Sequence, residues 1–219
     1  DDMKEFRESM IMHEDGAEKV PLKEGVDFMF EQHPELASIG TKEQYTQYIQ
    51  TIFPESKFRQ IVYHNSDAKF KNEGFKPMKP NFDTLNSIEG VYNFSTNRIF
   101  TQRYGSNTYA VVLDIRSPIE EASSGEYVDD MEMPLSEALF KIGKQTDKNP
   151  LAPEYDEALK NTDGVINHVS GEHYIAEHPR SKQEIGIPQQ VIVSVFNDNQ
   201  IHILGSESDV RKFQEFVGK

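Results

Sequence analysis

The chain has 219 residues, and its 37 acidic and 23 basic side chains give a net charge of -14 at pH 7. Such an acidic balance argues against nonspecific binding to nucleic acids or anionic membranes, because phosphate groups are repelled. With no cysteine in the chain, we expect no disulfide, no thiolate nucleophile and no cysteine-ligated zinc site. The absence of an apolar run of about 20 residues and of a signal-peptide pattern favours a cytoplasmic protein.

Residues 1–40 are charged and poorly periodic, which predicts an N-terminal arm with one short helix. The main domain is expected to span residues 41–219. It opens with a helix in "GTKEQYTQYIQTIFP", where Thr41 and Gln44 form a capping-box pattern. The next segment, "FRQIVYH", is predicted to be a strand that ends at His64 and is followed by a turn.

The later elements follow from local patterns along the chain. The segments "EGVYNF", "NTYAVVLDI", "TDGVINHV", "QQVIVSVFN" and "NQIHILGS" are predicted strands. A short helix in "STNRIFTQRYG" is expected to end at Gly105. Helices are also predicted for "PLSEALFKIGKQ", "APEYDEALKN" and "SESDVRKFQEFV", the last capped by Ser206 and Asp209. The predicted fold class is therefore α+β.

Three short stretches carry candidate functional residues, and each also has a purely structural interpretation. A strand-terminal histidine such as His64 is more often structural, although short polar neighbours at a strand end can present backbone groups to a ligand. Tyr92 and Tyr104, with Thr101 expected on the same helix face as Tyr104, are more typical of a core, although such rings also stack on planar heterocycles. Strand alternation places Gln190 on the face of its strand that also carries Ile192 and Ser194.

Other motifs give weaker or negative indications. The histidines at 168, 173 and 178 are spaced by five, which matches neither helix nor strand facing, so no metal site is predicted. The chain contains no GxGxxG, no GxxxxGK[ST] and no GxSxG pattern. The acidic stretch "SSGEYVDDMEM" lacks the spacing of an EF-hand loop.

Taken in order, these stretches resemble the ADP-ribosyltransferase fold, in the diphtheria-toxin and poly(ADP-ribose) polymerase branch with its His–Tyr–Glu triad. The segments "TIFPESKFRQIVYH", "RYGSNTYAVVLDIRSP", "TDGVI" and "NQIHILGSESDVRKFQEFV" are similar to ADP-ribosyltransferase domains of phage and mobile-element polyvalent proteins. The resemblance covers about residues 41–217. It implies split antiparallel β-sheets around an NAD cleft, with helices at the N-terminal and C-terminal ends.

The resemblance also implies roles for individual residues. His64 would bond the adenosine-side ribose of NAD, and Tyr92 would pack on the nicotinamide ring. Thr101 would bond the nicotinamide amide, and Tyr104 would be the second stacking tyrosine. The remaining residues of the implied NAD-binding set are Tyr63, Asn65 and Ser66.

The chain departs from the family pattern at three positions. Asn65 replaces the glycine that lets the backbone approach the carboxamide. Asn93 is an extra residue within the Gly-x-Tyr-Phe motif. Ile192 stands where the triad glutamate would orient the nicotinamide-ribose hydroxyl and stabilise the oxocarbenium-like charge. A His–Tyr–Ile triad occurs in mono-ADP-ribosyltransferases of the family, and Gln190 is a candidate for part of the missing role.

The implied activity is mono-ADP-ribosylation with NAD as substrate, release of nicotinamide and a host protein as the expected acceptor. The protein would be a phage or mobile-element effector that acts in the host cytoplasm, or one packaged in a virion. One alternative is a catalytically degenerate binding or structural member of the fold, and another is an unrelated α+β interaction protein. This chemistry requires a pocket that positions nicotinamide and the acceptor, and it does not require a metal ion, so no metal site is expected.

Overall fold

The computed structural model describes residues 19–67, 69, 91–123, 159–169, 175–177, 184–186 and 189–218. Its α-helices are α1 (Lys19–Gln32), α2 (Leu36–Ile39), α3 (Lys42–Ile52), α4 (Arg98–Thr101) and α5 (Glu207–Val217). Two 3₁₀ turns are Gln102–Tyr104 and Asp198–Gln200. The strands are β1 (Val62–Ser66), β2 (Tyr92–Ser95), β3 (Asn107–Leu113), β4 (Pro118–Ser123), β5 (Gly164–Val169), β6 (Ile175–Glu177), β7 (Glu184–Gly186), β8 (Gln190–Val195) and β9 (Ile201–Ile203).

The fold is mixed α/β, with a seven-stranded open sheet and helices at both ends of the chain. The strand order is β4-β5-β8-β2-β1-β3-β9, and β6 and β7 form a separate two-stranded sheet. The resemblance implied split antiparallel sheets, and every described strand pair is antiparallel except β4 and β5, which pair in parallel. Residues 124–163 connect these two strands, and a connection of that length permits the crossover that parallel pairing requires. Among the described residues, no helix combines the length and the apolar character that crossing a bilayer requires.

The structure confirms most of the predicted elements. The capping box of α3 forms between Thr41 and Gln44, and the N–H of Asp209 donates to Ser206 Oγ at the start of α5. The predicted strands in β3, β5 and β8 are present, whereas β4, β6 and β7 were not predicted. The predicted helix at 134–145, most of the helix at 152–161 and nearly all of the acidic stretch at 123–133 lie outside the described residues.

Strand β1 differs from its prediction at both ends. It begins at Val62 rather than at Phe58, and it continues beyond His64 through Asn65 and Ser66. These two polar residues stay in the strand because they pair with Thr108 and Asn107 of β3. The turn expected at Asn65 is therefore absent, and both polar residues belong to the paired part of β1.

The two faces of the sheet pack differently. On one face, Tyr63, Ala110 and Val112 pack against α1, α3 and α5, and Val26 and Met29 of α1 are buried in the same cluster. The second half of the predicted arm is thus part of this core. The other face forms a cluster that includes Val62, Phe94, Val111, Ile166 and Val193.

A buried carboxylate connects the helices at the two ends of the chain. Asp209 of α5 has no solvent exposure. It accepts hydrogen bonds from the hydroxyls of Tyr45 (2.6 Å) and Tyr48 (2.9 Å), from the N–H of Gly205 (2.8 Å), and pairs with His202 Nε2 at 2.7 Å. Burial alone would raise the pKa of Asp209, but the bonds from His202, Tyr45 and Gly205 outweigh it and hold the pKa below its ordinary value.

We predict that Asp209→Asn lowers the free energy of unfolding by about 3 kcal/mol, because the buried donors lose their charged acceptor. Urea unfolding at pH 7 measures the loss, with Glu207→Gln, an exposed acid in the same first turn of α5, as matched control. The lowered pKa of Asp209 means that its contribution is present above the ordinary pKa and is lost as the pH falls through the folded value. Parallel acid profiles for wild type and Asp209→Asn below about pH 4 would contradict this assignment.

Candidate functional site

The candidate site lies where the sheet is divided between β1 and β2. Within the described residues, β1 and β2 pair at one position, with Tyr63 opposite Ser95. By contrast, β1 pairs with β3 along its whole length, and β2 does so with β8. The sheet therefore consists of two halves, β9-β3-β1 and β2-β8-β5-β4, joined at one residue pair. We call the unpaired region beside that pair, bordered by residues 64–66 and 92–94, the β1–β2 split.

His64 spans the β1–β2 split. Its Nδ1 lies 2.9 Å from the carbonyl oxygen of Asn93, and because a carbonyl only accepts, Nδ1 is the protonated nitrogen. The imidazole also lies 5.7 Å, centroid to centroid, from the ring of Phe94. Burial lowers the pKa of His64, and the bond to Asn93 only partly offsets this, so the ring is neutral at pH 7. In that tautomer Nε2 carries a lone pair and accepts hydrogen bonds.

The strand register separates the four catalytic candidates into two pairs. Phe94 lies opposite Val193, and Ser95 lies opposite Ile192; residues directly opposite one another share a face of the sheet. His64 and Tyr92 lie on the same face of the sheet as Phe94. Ile192 and Gln190 lie on the same face as Ser95. His64 and Tyr92 border the split, whereas Ile192 and Gln190 lie on β8 and on the opposite face of the sheet, so the four candidates do not converge on one face.

Asn65 and Thr101 are brought into direct contact. Thr101 Oγ1 donates to Asn65 Oδ1 at 2.7 Å. Asn65 Nδ2 donates to the carbonyl of Gly105 at 3.1 Å and to Thr108 Oγ1 at 2.9 Å. Asn65 is only 3% exposed, so its carboxamide is enclosed and bonded at both ends. Asn65, at the position where the resemblance expects a glycine, is thus in contact with the residue predicted to bind the nicotinamide amide.

Gly105 allows this contact by bringing the chain after the 3₁₀ turn onto the end of β1. A Cβ atom at Gly105 would lie 2.2 Å from the backbone carbon of Ser66 and 2.6 Å from the backbone nitrogen of Asp67. Nonbonded atoms do not approach each other that closely, so no larger residue fits at this position without backbone movement. The tight approach fixes the Gly105 carbonyl beside Asn65.

Ser95 and Gln190 form a second polar contact on the Ser95 face. Ser95 Oγ donates to Gln190 Oε1 and accepts from the N–H of Asn97, which lies 2.9 Å away. Gln190 is 4% exposed, and its Nε2 has no hydrogen-bond partner among the described residues. A buried unpaired amide costs about 1–3 kcal/mol, and an oxygen atom of a ligand would satisfy it. Ser95 was not predicted, although the polar residues at alternate positions of "YNFS" were a signal.

The other predicted residues have more ordinary surroundings. The ring of Tyr63 packs edge-on against Phe28 at 5.6 Å in the helical core, and burial raises the pKa of Tyr63 to about 12. Ser66 is buried within β1. Tyr104 is 39% exposed whereas Thr101 is buried.

Of the three evenly spaced histidines, only His168 lies within the described residues. Its Nε2 lies 4.0 Å from Oε2 of Glu120 on the neighbouring strand. Burial lowers the pKa of His168. Across the described part of the chain, no three histidine, aspartate or glutamate side chains are grouped closely enough to hold a metal ion.

Comparison of the chain with protein-family models, with curated proteins and with solved structures finds no match in any of the three. The functional argument therefore depends on the residues and their geometry.

We predict that His64 is neutral at pH 7 and protonated on Nδ1, with a pKa below 6.5. Nitrogen-15 chemical shifts of the imidazole, followed between pH 4 and 8, report both properties, and His64→Gln identifies the signals. Since burial lowers the pKa of His64, its contribution to stability is present above pH 6.5 and is lost as the pH falls. An Nε2-protonated ring, or a pKa above 6.5, would contradict this geometry.

Proposed function

We propose that the chain is an ADP-ribosyltransferase-like protein that binds NAD at the β1–β2 split and transfers ADP-ribose to an acceptor. The observation that carries the proposal is the split itself. It divides the sheet into two halves joined at the pair Tyr63–Ser95, and β1, β2 and β8 are adjacent there. These three strands carry the positions that correspond to the triad in the resemblance, with His64 and Tyr92 on one face of the sheet and Ile192 on the other.

The proposed reaction needs no group beyond NAD and the acceptor. The glycosidic bond between the ribose anomeric carbon and the nicotinamide nitrogen breaks, and nicotinamide leaves with the bonding electrons. The acceptor's nucleophilic atom forms a new bond to that carbon, and its proton passes to solvent. The proposed acceptor is a side chain of a host protein, modified in the host cytoplasm by a phage or mobile-element effector.

The described contacts suit particular parts of this substrate. In the proposed complex His64, whose ring is held by the bond from Nδ1 to the Asn93 carbonyl, contacts a ribose hydroxyl. The exposed ring of Tyr104 offers a face on which a planar nicotinamide can stack. Ile192 supplies no charge to the oxocarbenium-like transition state. Gln190, two residues away on the same face, carries a buried Nε2 with no hydrogen-bond partner in the described part of the chain, and in the proposed complex it bonds a substrate oxygen.

Transfer is tested with labelled NAD and a host-cell lysate. We predict that wild type labels one or more proteins and that His64→Ala lowers the initial rate about 100-fold, since misplaced substrate costs on that order. His33→Ala is the matched control, because His33 lies beside Gly205 at the start of α5, away from the split, and it should retain the wild-type rate. Absence of label with wild type, or equal rates for wild type and His64→Ala, would count against the transferase.

A second candidate function is a catalytically degenerate binding or structural protein, for example one carried in a virion. It is favoured by two observations: the side chain of Asn65 already bonds Thr101, and Ile192 provides no carboxylate. This candidate predicts that calorimetric titration with NAD gives either saturable binding or no heat, with no nicotinamide released over several hours. Measurable nicotinamide release that depends on His64 would exclude it.

A further inference from the structure

Helix α1 contacts both chain segments that form the join, the single pair Tyr63–Ser95 between the two halves of the sheet. Its residue Phe28 packs edge-on against the ring of Tyr63, with 5.6 Å between the ring centroids. The guanidinium carbon of Arg98 lies 4.8 Å from the centroid of the same Phe28 ring. Arg98 begins α4, shortly after Ser95 in the chain. One side chain of α1 therefore touches β1 and the segment that follows β2.

The segment that carries Arg98 is held to the second half of the sheet. The N–H of Asn97 donates to Ser95 Oγ at 2.9 Å. The N–H of Thr96 donates to the carbonyl of Val191 on β8 at 3.0 Å. These bonds fix the chain between β2 and α4, so the start of α4 is positioned by the half that contains β2 and β8.

Helix α1 is packed against the first half of the sheet. Val26 and Met29 of α1 are buried in the core that also contains Tyr63. A Cβ atom at Gly25 would lie 2.6 Å from Cδ1 of Ile61, the residue before β1, so the helix lies directly against the chain that leads into β1. Phe28 thus projects from a helix fixed to one half and reaches an arginine fixed to the other.

Two different interactions hold the Phe28 ring at the join. Edge-on packing against Tyr63 is a favourable arrangement of aromatic rings, and Arg98 adds a cation–π contact. Burial raises the pKa of Tyr63 to about 12, and the positive charge of Arg98 opposes this rise, so the guanidinium is also close to the Tyr63 hydroxyl. We call the cluster of Phe28, Tyr63 and Arg98 the Phe28 clamp.

Other contacts between the halves are hydrogen bonds. His64 and Thr101 make such bonds beside the split. Gln200 Nε2 donates to the carbonyls of Asp114 and Asp163, and so connects the residue after β3 to the residue before β5. The halves therefore stay connected when the join opens locally. The Phe28 clamp acts on that local opening, because its members lie on both sides of the single strand pair.

We propose that α1 controls local opening of the join, with the Phe28 clamp coupling the position of this helix to β1 and to α4. Because α4 carries Thr101, a movement of α1 is transmitted to the candidate site. The inference concerns the sheet itself and goes beyond the proposed transfer of ADP-ribose, since none of these contacts involves NAD. Loss of the clamp lets the join open more often while the interior of each half stays closed.

Amide hydrogen exchange of the full chain, followed residue by residue by NMR, tests the proposal because it measures local opening. Phe28→Leu should speed exchange of the Tyr63 and Ser95 amides about tenfold, since it removes both interactions of the ring. The amides of Val111 and Val193, which are buried within the two halves, should exchange as in wild type.

Phe30→Leu is the matched control for the loss of a ring from α1. Phe30 packs edge-on against Tyr45 of α3 at 5.8 Å between ring centroids, and this contact does not involve the join. The same substitution at this position should leave exchange of the Tyr63 and Ser95 amides at the wild-type rate.

A second series changes the cation and keeps the Phe28 ring. Arg98→Met removes the charge and should speed exchange at the join about fivefold, whereas Arg98→Lys retains a cation and should stay near the wild-type rate. The double variant Phe28→Leu/Arg98→Met should exchange no faster at the join than Phe28→Leu alone, because both substitutions remove the same contact.

Unchanged exchange of the Tyr63 and Ser95 amides in Phe28→Leu would overturn the proposal. An equal increase at every amide would also overturn it, since that result indicates a general loss of stability, and so would an equal effect of Phe30→Leu at the join. No nucleotide is present in these experiments, so failure of the clamp and failure of the proposed transferase are observed separately.

Discussion

The position of Tyr63 determines the geometry of the whole candidate site. Its backbone makes the pair that joins the two halves of the sheet, and its ring packs against Phe28 in the helical core. Because neighbouring strand residues point to opposite faces, burying Tyr63 under the helices places His64 on the far face. A register shift of one residue would reverse these orientations. An apolar contact outside the polar cluster thus decides which groups border the split.

Local sequence patterns correctly predicted those helices and strands that form because of their own residues. The valine-rich runs of β3 and β8 are buried strands, and the capping residues of α3 and α5 make the expected bonds. Strand β4, with the sequence "PIEEAS", was missed because its strand character comes from pairing with β5 rather than from apolar alternation. The end of β1 was misplaced for a related reason: Asn65 favours turns by itself, but its side-chain bonds to Thr108 and Gly105 hold it in the strand.

The candidate site was predictable in part. Alternation correctly placed Gln190 and Ile192 on one face of β8, whereas the contact between Asn65 and Thr101 was not predicted. What the sequence does not contain is how that face relates to His64, since this depends on the pairing of strands about 100 residues apart in the chain. The role of Ser95 was hidden for the same reason, because its partner Gln190 becomes its neighbour only in the folded sheet.

The two outer strands of the sheet influence how copies of the protein meet one another. An exposed strand edge is a template for adding a strand from another molecule, unless charge, proline or short length opposes it. Strand β4 begins with Pro118 and carries Glu120 and Glu121, and β9 at the opposite end has only three residues. Both ends of the strand order are therefore poor templates for intermolecular pairing.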